Sequence, residues 1–285
     1  MRMKYFVLFL FFCLLFVGCE RGVCNCEEEG VLKGWFSVSE SERVRFSRGN
    51  LQYRASTDTW RFGEEQWDVI GDGNGDVGEG YDGWIDLFGW GTSGHEGSMP
   101  WETSDSVGDY GAEEGVSIGG SGYDWGVRNR IVNGGNRVGE WRLLTRDEWG
   151  YILMGREGAS DLWGVARVNG VNGLVLLPDG CVVPEGVVFR AAVASDSGED
   201  LYWLVNDFDV EEWRLMEEVG AVFFPAAGAR IGKRVMYVGV AGYYWSETVF
   251  EYDGLSVYCM GFDASRAVWE GLSGRCNGRS VRLVK

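Results

Sequence analysis

Glycine sets the limits on what this chain can fold into. Its 285 residues include 45 Gly but only 4 Pro, and the glycines are interleaved with 14 Trp, 12 Tyr and 15 Phe. A glycine inside a helix costs roughly 1 kcal/mol relative to alanine, so a mostly helical fold is excluded. The same residue opens the left-handed backbone that tight turns require. Aromatic side chains at this density also exclude disorder, because they bury enough apolar surface to offset chain entropy. What remains is a loop-rich α+β domain with small antiparallel sheets, two main helices and long ordered loops.

The first residues have a separate logic. Arg2 and Lys4 precede an unbroken apolar run, Tyr5–Val17, which ends at Gly18-Cys19. A basic start followed by a short apolar run and a small residue describes a secretory signal over residues 1–18. Leu15-Phe16-Val17-Gly18-Cys19 resembles a bacterial lipobox, with Phe16 where Leu is usual, and so implies lipidation at Cys19. The alternative is an ordinary signal or signal anchor with an incidental cysteine. Residues 19–34 carry Cys, Glu and Gly without periodicity and read as a tether; residues 35–285 read as one domain.

Loss of Arg2 and Lys4 with the signal takes the formal charge from −17 to −19. A domain this acidic repels phosphate backbones, so nucleic acid is not an expected partner. Of the later cysteines, Cys24-Asn25-Cys26 is too tight for easy mutual bridging, and Cys259–Cys276 is the first pair to test. Free thiols are the equal alternative. With His95 the one histidine, a conventional zinc site has almost nothing to use. His95 lies in a Gly-rich stretch with no nucleophile turn beside it, and reads as a loop residue. Gly119-Gly120-Ser121-Gly122 lacks the Lys and following helix of a phosphate cradle. Asp72, Asn74 and Asp76 alternate as calcium ligands do, but Val77 and Gly83 break the loop pattern, and an acidic surface turn is the preferred reading. Calcium is thus the one candidate cofactor; otherwise none is expected.

Along the domain, Val44–Ser47 and Leu51–Arg54 alternate about a turn at Arg48-Gly49-Asn50, and Ser56-Thr57-Asp58 turns into Thr59–Phe62. Residues 71–139 suggest long ordered loops around aromatic anchors. Thr145 with Glu148 is a capping box, followed by Trp149, Ile152 and Leu153 on one helix face. Asp209 with Glu212 starts a second helix, with Trp213 and Met216 inward and Gly220 as its stop. Strand-like stretches follow each helix, at Gly173–Leu177 and Ala221–Pro225. The ending, SVRLVK, alternates like a strand with one buried face.

Several phrases together, "GNLQYRASTDTWRFGEEQWDVIGD", "GWIDLFGWGTSG", "EWRLLTRDEW", "GAVFFPAAGAR", "GYYWSET" and "GRSVRLV", resemble exported lipoproteins of the Bacteroidetes. Their C-terminal part resembles the formylglycine-generating-enzyme type of C-type-lectin-like fold. That fold implies a terminal strand, Ser280–Val284, lying beside an N-terminal strand of the domain. The enzyme branch carries a copper-binding cysteine pair; Cys276-Asn277-Gly278-Arg279 does not match its late Cys-Arg segment, so no catalytic residues carry over.

A second branch of the fold, the variable proteins of diversity-generating retroelements, holds a fixed frame while dispersed surface residues vary. By that resemblance Trp245, Ser246, Phe262, Arg275, Gly278 and Ser280–Val284 match frame positions within the ligand-binding region 241–285. Tyr243, Glu247, Val249, Phe250, Tyr252, Arg266, Trp269 and Glu270 look like the displayed set. Tyr, Trp and Arg supply much of the contact energy at binding faces. The resemblance implies a non-enzymatic lipoprotein of the outer membrane or cell surface that binds an extracellular protein or glycan. It implies contact with the membrane only through its lipid. The rivals are an oxidase or other enzyme on the same fold, and a fimbrial or other structural subunit.

Overall fold

A computed structural model describes residues 28–110, 112–191 and 203–285. The signal, Cys19, Cys24 and Cys26 lie outside the described residues.

Two sheets and three apolar cores alternate through the domain. The first sheet has the order β7-β5-β6-β8, from β5 (Trp163–Val168), β6 (Val171–Leu176), β7 (Asp207–Phe208) and β8 (Val222–Pro225). Its period-2 side chains serve two cores. Val165, Leu174, Leu176, Val222 and Phe224 enter the central core, while Ala166, Val168, Val175 and Phe223 enter an outer one. Helix α3 (Val210–Glu218) closes that outer core with Trp213 and Met216. The second sheet, in the order β11-β12-β13, comprises β11 (Ala241–Val249), β12 (Ser256–Asp263) and β13 (Arg266–Gly274). Tyr244, Met260 and Phe262 face the central core, and Trp245, Val249, Val257 and Cys259 face a third core on the other side. Strands β11 and β12 are mostly buried on both faces and so held stiffly by their neighbours, while β13 leaves Arg266, Val268, Glu270 and Leu272 exposed.

Short elements fill the rest. Strands β1 (Phe36–Ser37) and β2 (Arg43–Val44) form one small antiparallel pair. Strands β3 (Leu51–Arg54) and β4 (Thr59–Phe62) form another, joined by the expected turn, with Asp58 left-handed at φ 47°. Strands β9 (Ala229–Ile231) and β10 (Arg234–Met236) form a third pair. Helix α1 (Trp125–Arg128) is a single turn, and α2 (Arg146–Gly150) runs on through a wider turn, Tyr151–Gly155.

Both anticipated capping boxes are present. The Glu148 backbone N–H donates to Thr145 Oγ1 at 3.0 Å, and the Thr145 N–H donates to Glu148 Oε2 at 2.8 Å. Asp209 and Glu212 do the same for α3. Removing the first cap by Thr145→Ala is expected to lower unfolding free energy by about 1 kcal/mol, read from the urea midpoint. Gly220 ends α3 at φ +90°, and a Cβ there would stand 2.5 Å from the Gly34 Cα, so no other residue fits both demands.

Two expectations need correction. Val44–Ser47 does not hairpin with Leu51–Arg54. The Arg45, Ser47 and Leu51 N–H groups donate instead to the carbonyls of Lys285, Leu283 and Val281, each at 2.9 Å. The terminal segment thus lies beside an N-terminal one, as the resemblance implied, and also pairs with Arg142. Nor does SVRLVK bury one face only. Val281 and Leu283 enter the third core, Val284 enters the central one, and Arg282 is 1 % exposed beside Val284. Arg282 donates to Gln66 Oε1 at 2.9 Å and Asn50 Oδ1 at 3.3 Å, and its guanidinium lies 5.3 Å from the Phe224 ring. Burial lowers its pKa to about 10. The domain's packing also begins before Trp35. Leu32 N–H donates to Phe46 O, and Glu28 pairs with Arg45 and Lys285.

The long loops are held by indoles. Trp90 donates to the Ser246 carbonyl, Trp125 to Thr92, Trp141 to Gly134 and Trp245 to Phe88, at 2.8–3.0 Å. A buried indole brings a large apolar body and one donor, so it fills space and ties down an irregular backbone carbonyl together.

Candidate binding face

The eight residues expected on display separate into three places. The first is the outer end of β11 and β12. There the Phe250 ring lies 5.6 Å from Tyr258 and 5.2 Å from Tyr252, which is 82 % exposed. The Arg146 guanidinium lies 5.1 Å from the Tyr258 ring and pairs with Glu270 and Asp147. The backbone fixes this meeting: the Arg146 N–H donates to Thr248 Oγ1 at 3.1 Å, docking the first turn of α2 against β11. Phe250, Tyr252 and Glu270 are thereby brought together. Tyr258 and Arg146 were missed by sequence reasoning; Arg146, in a helix start, is partly exposed, and Tyr258, 8 % exposed in an apolar strand, is the floor beneath it.

The second place is the opposite end of the sheet. Arg266 stands at the β12–β13 turn, exposed, with Nε 3.5 Å from Asp263. Eight residues of β12 separate this turn from the first place, roughly 25 Å of strand. Tyr243 is half-buried, its ring 4.4 Å from the Arg279 guanidinium. Trp269 lies between the two ends, packed against the central core with its indole over Gly150, where a Cβ would meet it at 2.9 Å. It is a wall and not a projecting anchor. Trp269→Ala is therefore expected to cost about 1–3 kcal/mol of stability in a urea titration.

The third place is inward. Val249 is 6 % exposed in the third core and cannot be part of a displayed face. Its side chain alternates inward after the irregularity between Trp245 and Val249, which the sequence does not mark. Glu247 is half-buried over Gly119, whose absent Cβ leaves the space its carboxylate takes. Burial, then Asp124 and Glu148, push its pKa up, against the pull of Arg142. The frame residues Trp245, Ser246, Phe262, Arg275 and Ser280–Val284 are all buried.

Of the calcium candidates Asp72, Asn74 and Asp76, the middle one is turned inward. Asn74 is fully buried and spends its amide internally: Oδ1 accepts from the Asp86 and Leu87 N–H groups, and Nδ2 donates to Gly71 O and Asp86 Oδ1. Among the described residues no group of three or more His, Cys, Asp or Glu is placed to hold a metal. Cys259 and Cys276 are free and buried, and burial pushes the Cys259 thiol up to about 11. His95 packs edge-on against Tyr123, with ring centres 4.7 Å apart.

Asp86 and Asp124 are buried, and burial raises each to about 6. Being raised, each favours the folded state when protonated. That contribution is whole below about pH 4 and is lost as pH rises through about 6, on the order of 2–3 kcal/mol per group. Relative to Asp86→Asn, which stays neutral, the native chain is expected to lose stability between pH 4 and pH 7. A constant difference across that range would contradict neutral burial.

No family model matches the chain, and no curated protein or solved structure matches it.

Proposed function

We propose that this chain is an exported, lipid-anchored binding protein of the outer membrane or cell surface, built on a C-type-lectin-like scaffold of the formylglycine-generating-enzyme type. It contacts a protein or glycan ligand outside the cell and the membrane only through lipid at Cys19. The observation that carries this reading is the joining of Phe250, Tyr252, Arg146 and Glu270 over the buried Tyr258, at the outer end of the mostly buried strands β11 and β12. A rigid mount limits the ordering cost of binding, and aromatic and guanidinium groups supply contact area and directional bonds. The variable proteins of retroelements suggest the same division of labour, with Arg266 and Tyr243 as a second, smaller contact.

An oxidase reading would need a reactive cysteine pair. Cys259 and Cys276 are thiols held protonated by burial, which favours the binding reading. The test is a glycan and protein array probed with the native chain and with Tyr252→Ala/Arg146→Ala. Signals present for the first and absent for the second support the face. Signals equal for both overturn it.

A further inference from the structure

We propose that the buried guanidinium of Arg279 is a carboxylate-binding site, fitted to an acidic residue or chain end of a protein partner with apolar side chains beside it. Arg279 is 9 % exposed, and among the described residues its one side-chain hydrogen bond runs from Nε to Ser273 Oγ at 3.1 Å. Nη1 and Nη2 have no acceptor there, yet neither is sealed from solvent. The other buried arginines, Arg156, Arg230, Arg275 and Arg282, each give at least one Nη to a protein oxygen. Ser273, also buried, accepts from Arg279 Nε and from Asn277 Nδ2, which leaves its own O–H to donate. Burial lowers the Arg279 pKa, and the groups opposing it are Cys259, Tyr243, Cys276 and Tyr237. The chain has 43 Asp and Glu, but none of the described ones acts on this guanidinium. A buried cation with free donors and no counter-charge is costly until an anion joins it.

The surroundings select the ligand. The Tyr243 ring lies 4.4 Å from the guanidinium, and across the sheet Tyr243 stands in register with Gly261 and then the exposed Val268. Tyr237, Val238 and Val240, just before β11, are exposed as well. A planar guanidinium presents two parallel N–H groups, which match the two oxygens of a carboxylate. One cation in a molecule of formal charge −17 balances a monoanion, whereas a phosphate dianion would meet net repulsion. An aliphatic rim leaves the hydroxyls of an acidic sugar without partners, but it suits the apolar side chains that flank an acidic residue in a protein segment. Charge and rim together therefore fit a protein carboxylate in apolar company. The inference does not depend on what the aromatic face around Tyr252 binds.

The experiment is a heteronuclear NMR titration of the full chain in a non-ionic detergent with N-acetylvaline, which sets a carboxylate beside an aliphatic side chain. Its neutral counterpart, N-acetylvalinamide, is the control, and glucuronate and inorganic phosphate represent the competing chemistries. Saturable shifts of the Arg279 Nε–H and of the Tyr243 and Ser273 amide signals are expected with N-acetylvaline and not with the amide. Arg279→Lys keeps the charge but loses the fork, and is expected to weaken binding about tenfold. Tyr237→Ala, at an exposed position that leaves the fold intact by circular dichroism, is expected to weaken it about threefold. A native chain that shows no saturation with N-acetylvaline overturns the proposal. So does an equal response to the amide, or binding that either variant leaves unchanged. A response to glucuronate or phosphate as strong as that to N-acetylvaline overturns the protein carboxylate as occupant.

Discussion

Trp245→Ala is expected to lower the free energy of unfolding by about 3–5 kcal/mol, enough to abolish expression if the domain has ordinary stability. Trp245 is 1 % exposed and lies in the third core with Val281 and Leu283, so truncation leaves a cavity that three separate chain segments would have to close. Its indole also donates to the Phe88 carbonyl at 2.8 Å. That carbonyl also accepts from the Arg279 N–H at 3.0 Å, so the variant removes one of its two partners and adds about 1 kcal/mol at most. Urea titration reads the loss as a lower midpoint at constant slope. Tyr252→Ala, at 82 % exposure, is expected to move the same midpoint by less than about 0.5 kcal/mol.

The combined change Tyr252→Ala/Arg146→Ala is expected to weaken ligand binding by about 2 kcal/mol or more, some thirtyfold, in a titration against a ligand found by array. Tyr252 offers an aromatic surface almost free of neighbours, and Arg146 offers a guanidinium already oriented by Tyr258 and Glu270. Little rotamer freedom is left for the arginine to lose, so more of its contact energy survives as affinity. Stability should barely change, because the Arg146 ion pairs are solvated and worth about 0–1 kcal/mol. A binding loss matched by an equal loss of melting temperature would mean that these residues hold the fold together.

Local chemistry was legible in the sequence where a few adjacent residues decide the outcome. The capping boxes at Thr145 and Asp209, the Gly220 stop and the turn at Asp58 all formed where their residue types require them. Glycine and aromatic content pointed to small sheets and ordered loops for the same reason. Long-range pairing was harder. Val44–Ser47 looks like one arm of a hairpin, yet Val44 pairs with Phe36 and the Arg45 and Ser47 N–H groups reach the last residues of the chain, which no local pattern announces. A single buried face in SVRLVK would leave Arg282 on the wet side, because charge in an alternating strand normally marks that side. Here Asn50, Gln66 and the Phe224 ring accept it inside.

The display set was legible only in part, for a related reason. Phe250, Tyr252 and Glu270 do meet, but the partner that organises them, Arg146, comes from α2 more than a hundred residues earlier. Val249 was misplaced because an irregular register in β11 shifts which side chains point inward. Trp269 looked like an anchor because tryptophan often is one, but Gly150 opens a slot in α2 that the indole fills.

The most direct test of a rigid frame carrying an exposed face is a substitution scan of Ala241–Lys285 on cells, reading the amount of protease-resistant protein at the surface. Trp245, Val249, Phe262, Val281, Arg282 and Leu283 are expected to reject nearly all changes, while Tyr252, Arg266 and Glu270 accept most of them, polar and apolar alike. If Tyr252, Arg266 and Glu270 prove as intolerant as Trp245, they are structural and the division into frame and face is wrong.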